Sequence, residues 1–268
     1  MGPVPVRLSP AAPSVPASGA AEWDSSGLSP VPSVVRSGYG SGMTSAAPGD
    51  TDSARSPVVH LLRVSEYAAE AAGPEALAVL SAAERERAEA FVRPGDRDRY
   101  VVAHWALRRE LGALLGTAPA DVPFAQADCP VCGGPHGRPV VPGNPVHFSL
   151  SHAGDVVLLA FADAAVGVDV EGHPAVSSAA ETMTALHPRE QEELAAVGRD
   201  ALPAAFARCW TRKEAYLKAT GAGLGEDPGR TYVSALDRPA QPAGWHLTDL
   251  AAPAGYAAAC AVRRPAEQ

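Results

Sequence analysis

The sequence predicts a mixed α/β (α+β) fold, and three observations carry that prediction. Short apolar runs such as Val58 to Val64 and Val156 to Phe161 have the length and branching of strands. Longer stretches between them place Tyr100, His104, Leu107, Leu111 and Leu114 on one helical face. The two kinds of segment alternate in two comparable halves that divide near residue 165, although no sequence repeat relates the halves.

Residues 1–57 are dominated by Pro, Ser, Gly and Ala without helical or alternating period. Such a segment cannot offset the entropy of ordering itself and is expected to be a disordered extension. An overlong start, with Met43 nearer the beginning, explains the same composition equally well. Order is expected from the strand at Val58. Ser81, with Glu84 three residues on, has the form of a capping box, and the helix it opens ends before Pro94-Gly95. A second helix runs from about Asp96 to Leu115 and stops at Gly116. Strands follow at Phe148 to Leu150 and Val156 to Phe161. The latter is joined by Ala162-Asp163-Ala164-Ala165 to a strand around Asp169, which predicts a hairpin. Pro188 suits the first turn of a helix ending near Gly198, another helix covers roughly Pro203 to Thr220, and short strands near Tyr232 and Tyr256 close the chain. The expected units are 58–165 and 166–268.

Composition excludes several classes. A net charge of −8 opposes a general nucleic-acid binder, so an anionic ligand has to be held by a local cluster. No run of 18 apolar residues exists and the N-terminus lacks the order of a secretory signal, which predicts neither membrane span nor export, and places the chain in the cytoplasm; a monomer is expected. Four cysteines, two of them in one C-x-x-C, make no disulfide framework at this length.

Chemistry concentrates in two places. Two lysines stand against 20 arginines, and both lie in Trp210-Thr211-Arg212-Lys213-Glu214-Ala215-Tyr216-Leu217-Lys218. Arg cannot replace Lys where a compact, rotatable charge is needed. Upstream, Gly167-Val168-Asp169-Val170-Glu171 reads as an apolar strand whose two carboxylates share one face. On the later helix, Phe206, Cys209, Trp210 and Leu217 form an apolar stripe with Glu214 and Lys218 on its border. A carboxylate there is costly unless it is paired or cation-bound. Asp169, Glu171 and Glu214 would give three hard oxygen ligands suited to Mg²⁺ or Mn²⁺. Taken singly, G-x-D-x-E is also an ordinary strand entering a turn, and Glu214 with Lys218 an ordinary i, i+4 pair. Ser151 and His152 are neighbours on a strand and point to opposite faces, so they do not form a nucleophile-base pair.

These segments resemble the 4'-phosphopantetheinyl transferases of the surfactin-synthetase-activating type, whose signatures read G-[IV]-D-[IV]-E and W-[ST]-x-K-E-[AS]-x-x-K. Every signature position matches. The likeness extends to Phe148-Ser149-Leu150-Ser151-His152-Ala153-Gly154, to Gly137-Arg138-Pro139 and, more loosely, to Ser81 through Leu115. It covers most of the chain, the N-terminus excepted. The resemblance implies two similar α/β subdomains in a pseudo-two-fold arrangement. It further implies transfer of the 4'-phosphopantetheine arm of coenzyme A to a carrier-protein serine, with release of 3',5'-adenosine bisphosphate. By the same resemblance Ser151 and His152 contact phosphate, with a capping Ser and a core His as the alternative. Arg87 and Arg99 fall where the family holds coenzyme A phosphates, and Arg138 falls at its nucleotide pocket. Carrier contacts would lie after Glu171, through about Glu193. Where a relative carries a further Lys near the first helix, this chain has Glu84.

For such a reaction Lys218 would stabilise the leaving phosphate and Glu214 would accept the serine proton, directly or through water. Lys213 lies about a hundred degrees round the helix from Glu214, with no assigned role. The alternatives are a metal-dependent pyrophosphatase or nucleotidyl transferase, and an inactive carrier-binding module. Two further motifs are weaker. Gly221-Ala222-Gly223-Leu224-Gly225 follows a helix rather than opening one, so a helix stop is expected. Cys129-Pro130-Val131-Cys132, with His136 behind it, resembles half a zinc site without a fourth ligand.

Overall fold

A computed structural model describes residues 56–265, except His136 and the side chain of Leu224. The predicted N-terminal extension thus lies outside the described residues up to position 55. In chain order the elements are β1 (Val58–Arg63), α1 (Val64–Ala71), α2 (Pro74–Leu77), α3 (Ala82–Glu89), α4 (Pro94–Leu115), β2 (Ala125–Gln126), β3 (Pro139–Val140), β4 (His147–Ala153), β5 (Val156–Ala162), β6 (Val166–Gly172), α5 (Val176–Thr182), α6 (Pro188–Ala195), α7 (Leu202–Thr220), β7 (Trp245–Leu250) and β8 (Tyr256–Arg263).

Two three-stranded antiparallel sheets organise the chain, in the orders β1-β5-β4 and β6-β8-β7. The wiring repeats. Each sheet begins with a lone strand, continues through helices that end in a long one (α4 or α7), and closes with a hairpin whose last strand takes the centre. Similar topology therefore arises without any visible sequence repeat. The central strand β5 is buried on both faces. Val157, Leu159 and Phe161 join the cluster under α4, whereas Val156, Leu158 and Ala160 pack with Val166, Val168 and Val170 of β6.

The expected hairpin between β5 and β6 does not form. Both ladder edges of β5 are taken by β1 and β4, so β6 pairs with β8, and Ala162 to Ala165 instead carries the chain from one sheet to the next. Nor is there a strand near Tyr232. The amides of Val233 and Ala235 are satisfied by the side chains of Glu190 (2.6 Å) and Glu193 (2.7 Å), and the strand lies later, at Trp245–Leu250.

The capping box at Ser81 is present, with Glu84 returning to the Ser81 amide at 2.9 Å. Glu84 is fully buried, and its carboxylate takes the Arg108 guanidinium at 3.0 Å. Its position, where a relative would carry Lys, is thus a structural one. Tyr100, His104, Leu107 and Leu111 are buried as expected, but Leu114 is 55% exposed. α4 is covered on every side from Tyr100 to Arg109, and its last turn runs past that cover.

Candidate active site

The site forms where α7 crosses β6. Strand alternation sends Val166, Val168 and Val170 into the inter-sheet cluster and leaves Gly167, Asp169 and Glu171 on the other face. A Cβ at Gly167 would lie 2.2 Å from the Ala215 carbonyl oxygen and 2.4 Å from the Ala219 amide nitrogen. Only glycine allows the helix backbone to come this close, and that approach brings Glu214 and Lys218 to the strand.

Lys218 Nζ lies 2.6 Å from Asp169 Oδ1 and 3.1 Å from Ser151 Oγ, and Ser151 Oγ donates to the same Asp169 oxygen at 2.8 Å. Asp169 is 2% exposed and Glu214 7%, and Asp169 Oδ2 and Glu214 Oε1 are buried without a hydrogen-bond partner. The carboxyls of Glu171 and Glu214 are both pushed up to about 7, first by burial and next by the charge of Asp169, with Lys218 opposing. Three acidic groups thus share one ammonium in a poorly solvated place, an environment that favours a further cation. Among the described residues, no three His, Cys, Asp or Glu side chains already stand close enough to chelate an ion.

A pH prediction follows from the raised carboxyls. Between about pH 4.5, the ordinary value, and about 7, the folded chain holds protons at Glu171 and Glu214 that the unfolded chain has released. The contribution of these groups to stability is present at low pH and is lost as pH rises through that window. Thermal melting in EDTA should therefore decline more steeply with pH for the wild type than for Glu214→Gln. Equal slopes would show that Glu214 does not titrate there.

Ser151 and His152 are consecutive residues of β4, where neighbours alternate between faces. Burial, together with the nearby Arg99 and Lys218 charges, holds the His152 imidazole below the ordinary value. Arg99 donates to the Gly154 carbonyl at 3.2 Å, at the turn that ends β4. This turn is tight, since Gly154 has φ +53° and a Cβ there would lie 2.2 Å from the Tyr256 hydroxyl, to which the Asp155 amide donates at 3.2 Å. Arg138 reaches the last turn of α7, with one nitrogen 3.4 Å from the Ala219 carbonyl and another 3.3 Å from His147 Nδ1. Arg87 lies on the exposed side of α3, over the Phe91 ring. The structure thus gathers Ser151, Asp169, Glu171, Glu214 and Lys218, sets Arg99 and His152 beside them, and leaves Arg87 with Phe91.

Lys213 has a structural place. It is fully buried, and its ammonium lies 2.9 Å from Glu190, which also receives the Val233 amide. Replacing it with Met leaves a buried carboxylate uncompensated, so Lys213→Met should cost about 3–5 kcal/mol. Urea unfolding of that variant and of Lys213→Met/Glu190→Gln checks this, the double variant being expected to recover part of the loss.

The remaining motifs come together at the far end of α7. Gly221 ends the helix with φ +80°, as a stop. Pro130 and Val131 lie against Gly221 and Gly225, in a turn closed by bonds between Cys129 and the Gly133 amide and Gly134 carbonyl, both 2.8 Å. His136 is outside the described residues.

Ser149 and Gly167 stand in the matched motifs, but the sequence gives neither a role, although both set the geometry. Ser149 Oγ accepts the Val168 amide at 3.0 Å, and Ser151 Oγ the Val170 amide at 3.3 Å. Their alternation on β4 was the available signal.

Comparison with known proteins agrees with this arrangement. A family model described as the 4'-phosphopantetheinyl transferase superfamily matches residues 165–261, the segment that carries β6, α7 and most of β8. The chain is 32% identical over 172 residues to the 4'-phosphopantetheinyl transferase HetI of Nostoc sp., covering 62% of this chain and 70% of that one. It is 28% identical over 150 residues to a 4'-phosphopantetheinyl transferase of Bacillus subtilis, and 25% over 149 residues to Sfp of Bacillus subtilis strain 168. Each of these two matches covers 55% of this chain and 63% of the relative, so the chain spans less than two thirds of their length. With this similarity and the shared signatures on β6 and α7, the chain belongs to the 4'-phosphopantetheinyl transferase superfamily.

Proposed function

We propose that the chain transfers the 4'-phosphopantetheine arm of coenzyme A to a serine hydroxyl of an acyl, peptidyl or polyketide carrier protein, releasing 3',5'-ADP. One observation carries this reading: the buried Asp169 and Glu214 stand with the half-buried Glu171 and Lys218, and one oxygen each of Asp169 and Glu214 lacks a partner. Hard oxygen donors with buried, unsatisfied atoms fit Mg²⁺ or Mn²⁺. Asp169, Glu171 and Glu214 would hold that cation, which would supply charge neutralisation for a pyrophosphate.

The remaining roles fall to side chains of this chain. Burial and the charge of Asp169 push the Glu214 carboxyl up to about 7 with no cation bound, and with the cation in place Glu214 would accept the serine proton, directly or through water, on the oxygen left free of it. Lys218 supplies an ammonium for the leaving phosphate, and its contact with Asp169 keeps it at the carboxylates until a stronger anion competes. Arg99, Arg138 and His152 offer donors on either side of the cluster for the phosphates of coenzyme A, with Arg87 farther out on α3. We place carrier contacts after Glu171, through about Glu193. Among the described residues no helix is long and apolar enough to cross a membrane, and we propose a cytoplasmic monomer.

Incubation with coenzyme A, Mg²⁺ and several carrier proteins tests the reading by mass. Each competent carrier should gain one phosphopantetheine. Hydrolysis of coenzyme A without that gain would favour a pyrophosphatase, and binding alone a carrier-binding module.

A further inference from the structure

We propose that Cys129 and Cys132 are two thiolate ligands of a structural zinc ion, which fixes the turn over residues 127–138 at the end of α7. The site shares no residue with the Asp169 cluster and does not rest on the transferase reading.

The backbone already has the form of a metal-binding knuckle. In Cys129-Pro130-Val131-Cys132-Gly133, the Cys129 carbonyl accepts the Gly133 amide and the Cys129 amide donates to the Gly134 carbonyl, both at 2.8 Å. Gly133 has φ +72°, which folds the chain back after the second cysteine. The turn directs the amides of Cys132 and Val131 at the Cys129 sulfur and brings the Cys132 side chain to it as well. Such donors favour the thiolate, the form that binds metal. Two thiolates at C-x-x-C spacing are half of a tetrahedral zinc site, and soft sulfur selects zinc over Mg²⁺ or Mn²⁺. Each thiol releases its proton as it binds. Among the described residues no third His, Cys, Asp or Glu stands with the pair, so the other coordination positions fall to water or to a group outside those residues.

The segment has little else to hold its shape. Its flanking ladder, β2 with β3, is two residues long on each side, and none of the described residues 127–138 joins the three apolar clusters. So small an element is marginal without a staple. Its position nevertheless matters to the rest of the chain. Pro130 and Val131 lie against Gly221 and Gly225, and Arg138, where the turn returns, has one nitrogen 3.4 Å from the Ala219 carbonyl. An ion bound at the knuckle would fix the turn from within, and with it the place of Arg138 at the last turn of α7.

Zinc content after purification without chelator tests the proposal, and needs no turnover. The wild type should carry about one zinc per chain. Cys129→Ser and Cys132→Ser should each lose it, and Asp169→Asn should keep it. Cobalt loaded in place of zinc should give thiolate-to-cobalt charge-transfer absorption in the wild type and in Asp169→Asn, and not in either serine variant. If a serine variant does not fold, titration of the native wild type with p-hydroxymercuribenzoate repeats the measurement. Zinc should then leave as the knuckle thiols are blocked, while the buried Cys209 and Cys260 stay protected. A wild type free of zinc that takes up no cobalt at thiolate would overturn the proposal. So would a wild type lighter by the mass of two hydrogens with Cys129 joined to Cys132, which would make the pair a disulfide. Zinc retained by both serine variants would overturn it too, and its loss from Asp169→Asn would assign that ion to the carboxylates.

Discussion

Glu214→Gln should melt at or above the wild-type temperature in EDTA at pH 8 and yet lose transfer by about 10²–10⁴-fold. The two halves of this expectation come from the same charge. Glu214 is 7% exposed, sits near Asp169 and has its carboxyl pushed up to about 7, so above that pH its ionised form is a burden on the fold. An amide of the same shape relieves the repulsion and can still fill the space between α7 and β6. In the proposed reaction chemistry would lose twice, since the substitution removes the group that would accept the serine proton and one of the three anionic oxygens that would hold the cation. Mn²⁺ binding should weaken in parallel. Stability that falls together with activity would point to a structural role for the carboxylate, and near-wild-type turnover in saturating Mg²⁺ would remove Glu214 from the chemistry altogether.

Much of this site was legible because it is local in sequence. The i, i+2 spacing of Asp169 and Glu171 on an apolar strand, and the i, i+4 spacing of Glu214 and Lys218 on the border of an apolar helix stripe, each fix a face without knowledge of the partner element. The pairing of the two faces was not written in either segment. It depends on Gly167, whose missing side chain lets Ala215 and Ala219 lie against the strand, and glycine in a strand gives no sign of which element approaches it. The sheet assignment failed for a related reason. A four-residue link between two apolar strands reads as a hairpin, and only the non-local pairing of β5 with both β1 and β4 shows that its edges are filled. Near Tyr232 the backbone is satisfied by Glu190 and Glu193 from α6, a long-range arrangement that no strand pattern encodes. The scarcity of lysine pointed to one real pair of special positions, but for two different reasons. Lys213 answers a fully buried carboxylate on α6, and Lys218 a carboxylate in the candidate site.

Lys218→Arg separates those reasons at the second position. In the wild type a single ammonium contacts Asp169 Oδ1 at 2.6 Å and Ser151 Oγ at 3.1 Å, and leaves Asp169 Oδ2 unpaired. A guanidinium is a planar fork that prefers to bind both oxygens of a carboxylate. At this position it should claim Oδ2 as well, competing for the oxygen a cation would use and holding the positive charge away from a leaving phosphate. The fold should tolerate this, and melting in EDTA should not fall. Mn²⁺ affinity should drop, and kcat should decline about a hundredfold, the cost of misplacing a catalytic group by about 1 Å. KM for coenzyme A should change less, because Arg99, Arg138 and His152 are untouched and the leaving-group charge grows in the transition state. An ordinary helix-surface ion pair predicts something else. Such a pair is worth under about 1 kcal/mol and arginine serves it equally well, so unchanged kcat and unchanged Mn²⁺ binding in Lys218→Arg would reduce Lys218 to a partner of Asp169 with no part in the reaction.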